Sequence, residues 1–198
     1  MSVDQISLLL AFLSFLAAGI GVASLGATTF KPEALRPLMS VLLPLAFAVA
    51  LASTIGSLYY SGVVHFRPCR LCWWQRIFMY PLVPILGIAS AQRGRVGGDR
   101  MGSLCAAVLA VGGLGYSAYH TQLRWFPDQG SSCEAEAACT SVWVNTFGFV
   151  SIPFMAFCGF LAVLGLTAGH LRLTRPASAA PSVSNSLVPA SSTERQSP

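Results

Sequence analysis

Charge is what this sequence has least of. Only 10% of its 198 residues are Asp, Glu, Lys or Arg, against about 25% in an average soluble domain. Hydrophobic residues make up 54%. A chain so composed cannot cover its own apolar surface in water, and a bilayer is the expected solvent. Acidic residues number 7 against 12 basic ones, for a formal charge of +5. None of those acids falls in the middle of an apolar run. No basic patch with interleaved aromatics is present, so the positive charge speaks for membrane topology and against nucleic acid as a partner. No internal repeat stands out.

What is present is five long apolar runs, at residues 6–30, 38–61, 73–91, 101–121 and 147–171. Each is long enough to cross the ~30 Å hydrocarbon core at ~1.5 Å per residue. Pro44, Pro81, Pro84 and Pro153 lie in or near them, as spanning helices tolerate. Gly112, Gly113 and Gly115 predict close helix approach in the fourth run. The first run follows a head, Met1 to Gln5, that contains Asp4 and no Lys or Arg, so it reads as a true span rather than a cleaved signal.

Basic residues then orient the spans. Lys31 and Arg36, then Arg93, Arg95 and Arg100, then Arg172 and Arg175 all fall on one side of a five-span chain. The positive-inside rule makes that side cytoplasmic. The N-terminus and the loops at 62–72 and 122–145 are then outside. Arg67, Arg70 and Arg76 break the pattern and need another reason. Residues 176–198, rich in Ser, Pro and Ala, read as a disordered cytoplasmic tail.

Four of the six cysteines fall in the two outside loops. Cys69 and Cys72 form a C-x-x-C; Cys133 and Cys139 form a second pair. The extracytoplasmic face favours disulfides. Cys72 directly precedes an apolar run, so a helix N-terminus is expected there, with Arg70 between the cysteines and Arg76 at i+4. Both cations should favour a thiolate at Cys72. The bland readings of a C-x-x-C are a disulfide staple or half of a zinc site. Between Cys133 and Cys139, Glu134 and Glu136 would raise a thiol pKa, and a simple loop-closing disulfide is the bland reading. On the same face as the first pair, however, the second could exchange disulfides with it through a mixed intermediate. His120 ends the fourth run near the same interface. It either faces headgroups or serves a bound ring as a hydrogen-bonding or proton-carrying group. Trp73, Trp74, Tyr80, Trp125 and Trp143 read as an aromatic belt, and Cys105 and Cys158 as inert apolar fillers within spans.

The block Pro68-Cys69-Arg70-Leu71-Cys72-Trp73-Trp74-Gln75-Arg76-Ile77-Phe78-Met79-Tyr80-Pro81-Leu82 resembles the DsbB/BdbC family of bacterial disulfide-forming membrane proteins, most nearly the BdbC-like branch. The resemblance continues at residues 116–123, at Cys133 and Cys139, and at residues 143–154. It implies an all-α membrane protein: a four-transmembrane-helix bundle at 38–171, here with an additional N-terminal transmembrane segment at 1–30. It also implies a thiol:quinone oxidoreductase of the bacterial inner membrane, using ubiquinone or menaquinone. Its partner would be an extracytoplasmic thioredoxin-fold thiol oxidase of DsbA/BdbD type. Carried over, Cys69 and Cys72 are the quinone-proximal pair, with Cys72 at the quinone. Arg76 assists the quinone and His120 lies near its ring. Cys133 and Cys139 meet the partner, Cys133 through a mixed disulfide. No metal is implied. The rival readings are a reductase or isomerase carrying electrons outward, a scaffold whose loops are stapled by disulfides, and a metal carrier.

Overall fold

The computed structural model of the chain describes residues 3–30, 36–92, 98–126 and 144–174. The second cysteine pair, Trp143 and the 176–198 tail lie outside these residues. The apolar runs become helices because a backbone in hydrocarbon must satisfy its own N–H and C=O groups. They form α1 (Val3–Phe30), α2 (Met39–Gly62), α3 (Arg70–Met79), α4 (Leu82–Ala91), α5 (Gly98–Trp125) and α6 (Ile152–Leu173). No strand forms among the described residues; one isolated antiparallel bridge joins Thr146 to Val150.

Five helical stretches are long and apolar enough to cross a membrane, the third being α3 and α4 together, Arg70–Ala91. That span is interrupted at Tyr80 and Pro81. Pro81 and Pro84 have no N–H to give the carbonyls four residues back. The ladder re-forms around them through Val83 N to Tyr80 O (3.2 Å) and Ile85 N to Pro81 O (3.2 Å). The last span starts later than its apolar run. Residues 146–150 form a tight turn, with Phe147 (φ 55°) and Gly148 (φ 80°) both left-handed, before Pro153 opens α6.

Helix α6 is the most enclosed element and packs on α1, α2 and α5. Phe160, Val163 and Leu166 carry its side of a core completed by Leu43, Leu82, Leu86 and Ala110. Small residues set the closest approaches. The ring of Phe160 lies where a side chain on Gly113 would stand, and the backbones of Gly21 and Gly165 meet at the α1–α6 crossing. Gly112 receives Phe78, whereas Gly115 faces open space. Between helices that gain nothing from burying apolar surface away from lipid, such contact supplies the dispersion energy of packing.

Two further ties fix the ends. At one, Ser7 on α1 and Tyr60 on α2 share a buried hydrogen bond of 2.9 Å. Phe15 packs on Phe149 and Phe154 there, and Phe12 on Phe147. At the opposite end His170 Nε2 lies 3.3 Å from Asp99 Oδ2, joining α6 to the start of α5.

Candidate active site

The segment between α2 and α3 folds back on α2 before the cysteines arrive. Phe66 donates its N–H to the Tyr60 carbonyl (2.9 Å) and stacks its ring on Tyr60 at 5.7 Å. His65 takes a left-handed φ of 61° to make the bend, a conformation histidine adopts more readily than most residues. The chain then enters α3 with Cys69 as its N-cap, extended at φ −73° and ψ 172°.

This placement decides which sulfur receives the helix end. The Cys72 N–H points to Cys69 Sγ at 3.4 Å, and the two sulfurs lie 2.9 Å apart as free thiols. Cys69 Sγ also meets His120 Nε2 at 3.8 Å. Cys69 and His120 are both buried. The hydrogen bond from the Cys72 thiol, then the bond and charge of His120, then the Cys72 N–H outweigh burial and lower the Cys69 pKa to about 4. In the reduced pair these groups favour a thiolate at Cys69. Arg70 is exposed on the first turn. Arg76 turns to α2, giving Nε to Ser57 Oγ (3.0 Å) and Nη2 to the Ser57 carbonyl (3.2 Å), with its guanidinium 5.4 Å from the Trp73 ring.

Cys72 opens on a different environment from Cys69. With Gln75, Arg76 and Tyr80 it lines an apolar cavity of about 400 Å³ between α1, α2, α3 and α6. Cys69 and His120 do not line that cavity. The structure sets His120 against the Cys69 sulfur. Gln75 was not singled out in the sequence. Its side chain is buried, and its Nε2 has no hydrogen-bond partner among the described residues. Its spacing of three from Cys72 was the available signal. Members of the aromatic belt also make particular contacts. Trp74 stacks on Tyr116 at 5.5 Å, Trp73 carries Arg76, and Tyr80 OH lies 3.4 Å from Ser57 Oγ at the cavity wall. Cys158 is buried within α6 and Cys105 is exposed on α5; neither is near the pair. Cys133 and Cys139 lie in the 127–143 segment, which leaves α5 shortly after His120.

The ligand atoms of Cys69, Cys72 and His120 all lie within 4.8 Å of one another, the donor set of a Cys2His metal site. Two thiolates on one tetrahedral zinc sit roughly 3.8 Å apart, as follows from Zn–S bonds of about 2.3 Å. The 2.9 Å observed lies about midway between that spacing and the ~2.05 Å of a disulfide bond.

Helices that cross a membrane, with a close thiol pair set against a histidine at one end, define a class: multi-pass membrane proteins of thiol–disulfide chemistry. Comparison with known sequences narrows the class. Residues 39–169 match the family described as disulfide bond formation protein DsbB. The chain belongs to that family. It is similar to a probable disulfide formation protein of Oceanobacillus iheyensis, 39% identical over 68% of this chain and 89% of the relative. It is similar to disulfide bond formation protein C of Bacillus subtilis, 38% identical over 63% and 88%. A probable disulfide formation protein of Deinococcus radiodurans is 40% identical over 69% and 93%. No solved structure matches the chain.

Proposed function

We propose that the protein is a thiol:quinone oxidoreductase of the bacterial cytoplasmic membrane, with its cysteine pairs on the extracytoplasmic side. It reoxidises a thioredoxin-fold thiol oxidase. The observation that carries this reading is the position of Cys72. Its thiol touches Cys69 on one side and lines an apolar cavity on the other. A sulfur so placed can meet both a neighbouring disulfide and a ligand taken from the lipid.

The cavity suits a quinone on its own chemistry. It is apolar along most of its wall, and most of its polar groups gather towards Cys72. The buried, unpartnered Nε2 of Gln75 is a donor without an acceptor, a costly state that a ring carbonyl would relieve. Cys72, Gln75 and Arg76 would hold the ring. The bound quinone supplies the acceptor for two electrons and two protons. Arg76 is anchored by Ser57 and Trp73, so its charge is fixed in advance near the place where negative charge would develop.

The thiol steps balance as follows. The partner's two thiols reduce the Cys133–Cys139 disulfide through a mixed disulfide at Cys133. The freed Cys133 and Cys139 thiols then reduce the Cys69–Cys72 disulfide. Cys69 is placed to leave in that step, with Cys72 taking the mixed disulfide, because His120 and the Cys72 N–H stand beside its sulfur. Closing Cys69 to Cys72 again forms one S–S bond and releases two electrons and two protons.

The test is quinone reduction, followed by ultraviolet absorbance, in purified protein given a reduced thioredoxin-fold donor. Turnover is expected in the wild type and absent in Cys72→Ser. Arg76→Ala should slow quinone reduction about tenfold or more, the scale of one lost charged hydrogen bond, while donor exchange continues. A wild type that reduces neither ubiquinone nor menaquinone, with both disulfides intact throughout, favours the stapled scaffold instead.

A further inference from the structure

The cavity beside Cys72 is longer than a ring requires. On α2 it is bounded from Leu45 to Ser61, a rise of roughly 24 Å at ~1.5 Å per residue. Most of its polar groups lie towards the Cys72 end, with Ser14 and Ser53 partway along, and Ile20, Leu45, Ala48 and Val49 line the far end. One whole side of it is α1, through Leu10, Leu13, Ala17 and Ile20. The region that matches the family begins at residue 39, so α1 is not part of it. Yet α1 is built into the bundle. It crosses α6 backbone to backbone at Gly21 and Gly165, and Ser7 bonds to Tyr60 in a buried contact.

We propose that α1 is a binding element of the active site. It forms the wall that holds the isoprenoid chain of the quinone against α2, while Gln75 and Arg76 hold the ring. This rests on the quinone reading given above and adds to it a ligand contact made by a helix outside the family's common region. Three observations carry it. The cavity is elongated and grades from polar to apolar, as a ring with a hydrocarbon chain does. The unpartnered Gln75 amide marks the ring end. The α1 side chains named above line the cavity, whereas Leu9 and Val22 of the same helix do not.

The experiment compares full-length wild type with Ala17→Phe, with Leu13→Trp at the more exposed edge of the same wall, and with Val22→Phe as the outward-facing control. Each is given ubiquinone and menaquinone, and also each ring without its isoprenoid chain. Reduction of the protein's own disulfides by dithiothreitol, without quinone, is measured beside these. Ala17→Phe and Leu13→Trp should raise KM for the chain-bearing quinones by roughly tenfold, the scale on which a pocket discriminates a poorly fitting apolar group. The chainless rings and the dithiothreitol reaction should be unchanged, and Val22→Phe should match wild type throughout. Equal losses for chain-bearing and chainless quinones, or no change in either cavity variant, overturn the role of α1. Should Ala17→Phe fail to fold, Leu13→Trp decides alone. A wild type inactive with every quinone defeats the quinone reading itself, an outcome the wild-type arm reports separately.

Discussion

Cys69 and Cys72 differ by one turn of helix, and that turn separates their chemistry. Cys69 is the N-cap, so the helix N–H, the neighbouring thiol and His120 all converge on its sulfur. Its folded-state pKa is depressed to about 4, far below the ~8.5 of an unfolded cysteine. The sign follows from linkage. In the reduced protein this ionisation contributes stability that is fully present above the unfolded value and is lost as pH falls through about 4. Thiolate absorbance of the reduced protein should therefore keep one ionised sulfur at neutral pH, with a midpoint near 4 that vanishes in Cys69→Ser. His120→Ala should move that midpoint upward and make the Cys69–Cys72 disulfide harder to reduce, because it removes support for the thiolate alone. An unchanged midpoint in His120→Ala would remove the histidine from the site. The C-x-x-C, the adjacent arginines and His120 were legible in the sequence as chemistry-bearing groups. Which sulfur would be favoured was not, because it depends on which residue caps the helix, and helix starts are uncertain by a residue or two. Gln75 was hidden for another reason. An uncharged amide inside an apolar run looks like a tolerated polar residue until its burial and missing partner are seen.

At the scale of elements, the five spans could be read directly because sustained hydropathy is the strongest signal a chain carries. Their faces could not, since helices that meet lipid outside and each other inside are apolar all round. Contacts between small residues decide the arrangement instead. Gly165→Leu would drive a side chain into the backbone of Gly21, where there is no flexible atom to yield. We expect that variant to lose about 1–3 kcal/mol or more of stability, read as a lower Tm in detergent, and to loosen α1 from α6. Gly115→Ala, which meets nothing, should melt as the wild type does. Equal melting of the two would remove the crossing as a source of stability. The broken third span was foreshadowed by Pro81 and Pro84, though the sequence could not tell a kink from a clean interruption.

At the scale of the whole molecule, the cysteine pair, the Tyr60–Phe66 stack and the turn before α6 share one end, and the Asp99–His170 pair closes the other. The 127–143 segment departs from and returns to the cysteine-bearing end. Replacing both Cys133 and Cys139 with serine should stop oxidation of a thioredoxin-fold donor. The same variant should still reduce quinone when a small dithiol reaches Cys69–Cys72 directly. Donor oxidation at wild-type rate in that variant would show that the second pair is dispensable. The second cysteine pair was legible only as spacing, since a loop's function is written in what it meets. The lipid side was less legible still, because the cavity arises from four helices none of which announces it alone.

The meeting of Gly21 with Gly165 bears on how the chain is made. A ribosome delivers α1 before α6, so α1 waits while α2 to α5 are made for the neighbour it packs against most extensively. Until α6 arrives, α1 has only lipid and α2 beside it. The cavity beside Cys72 is thus completed only when α6 inserts, and a nascent chain halted before α6 would carry both cysteines of the C-x-x-C beside an unfinished wall.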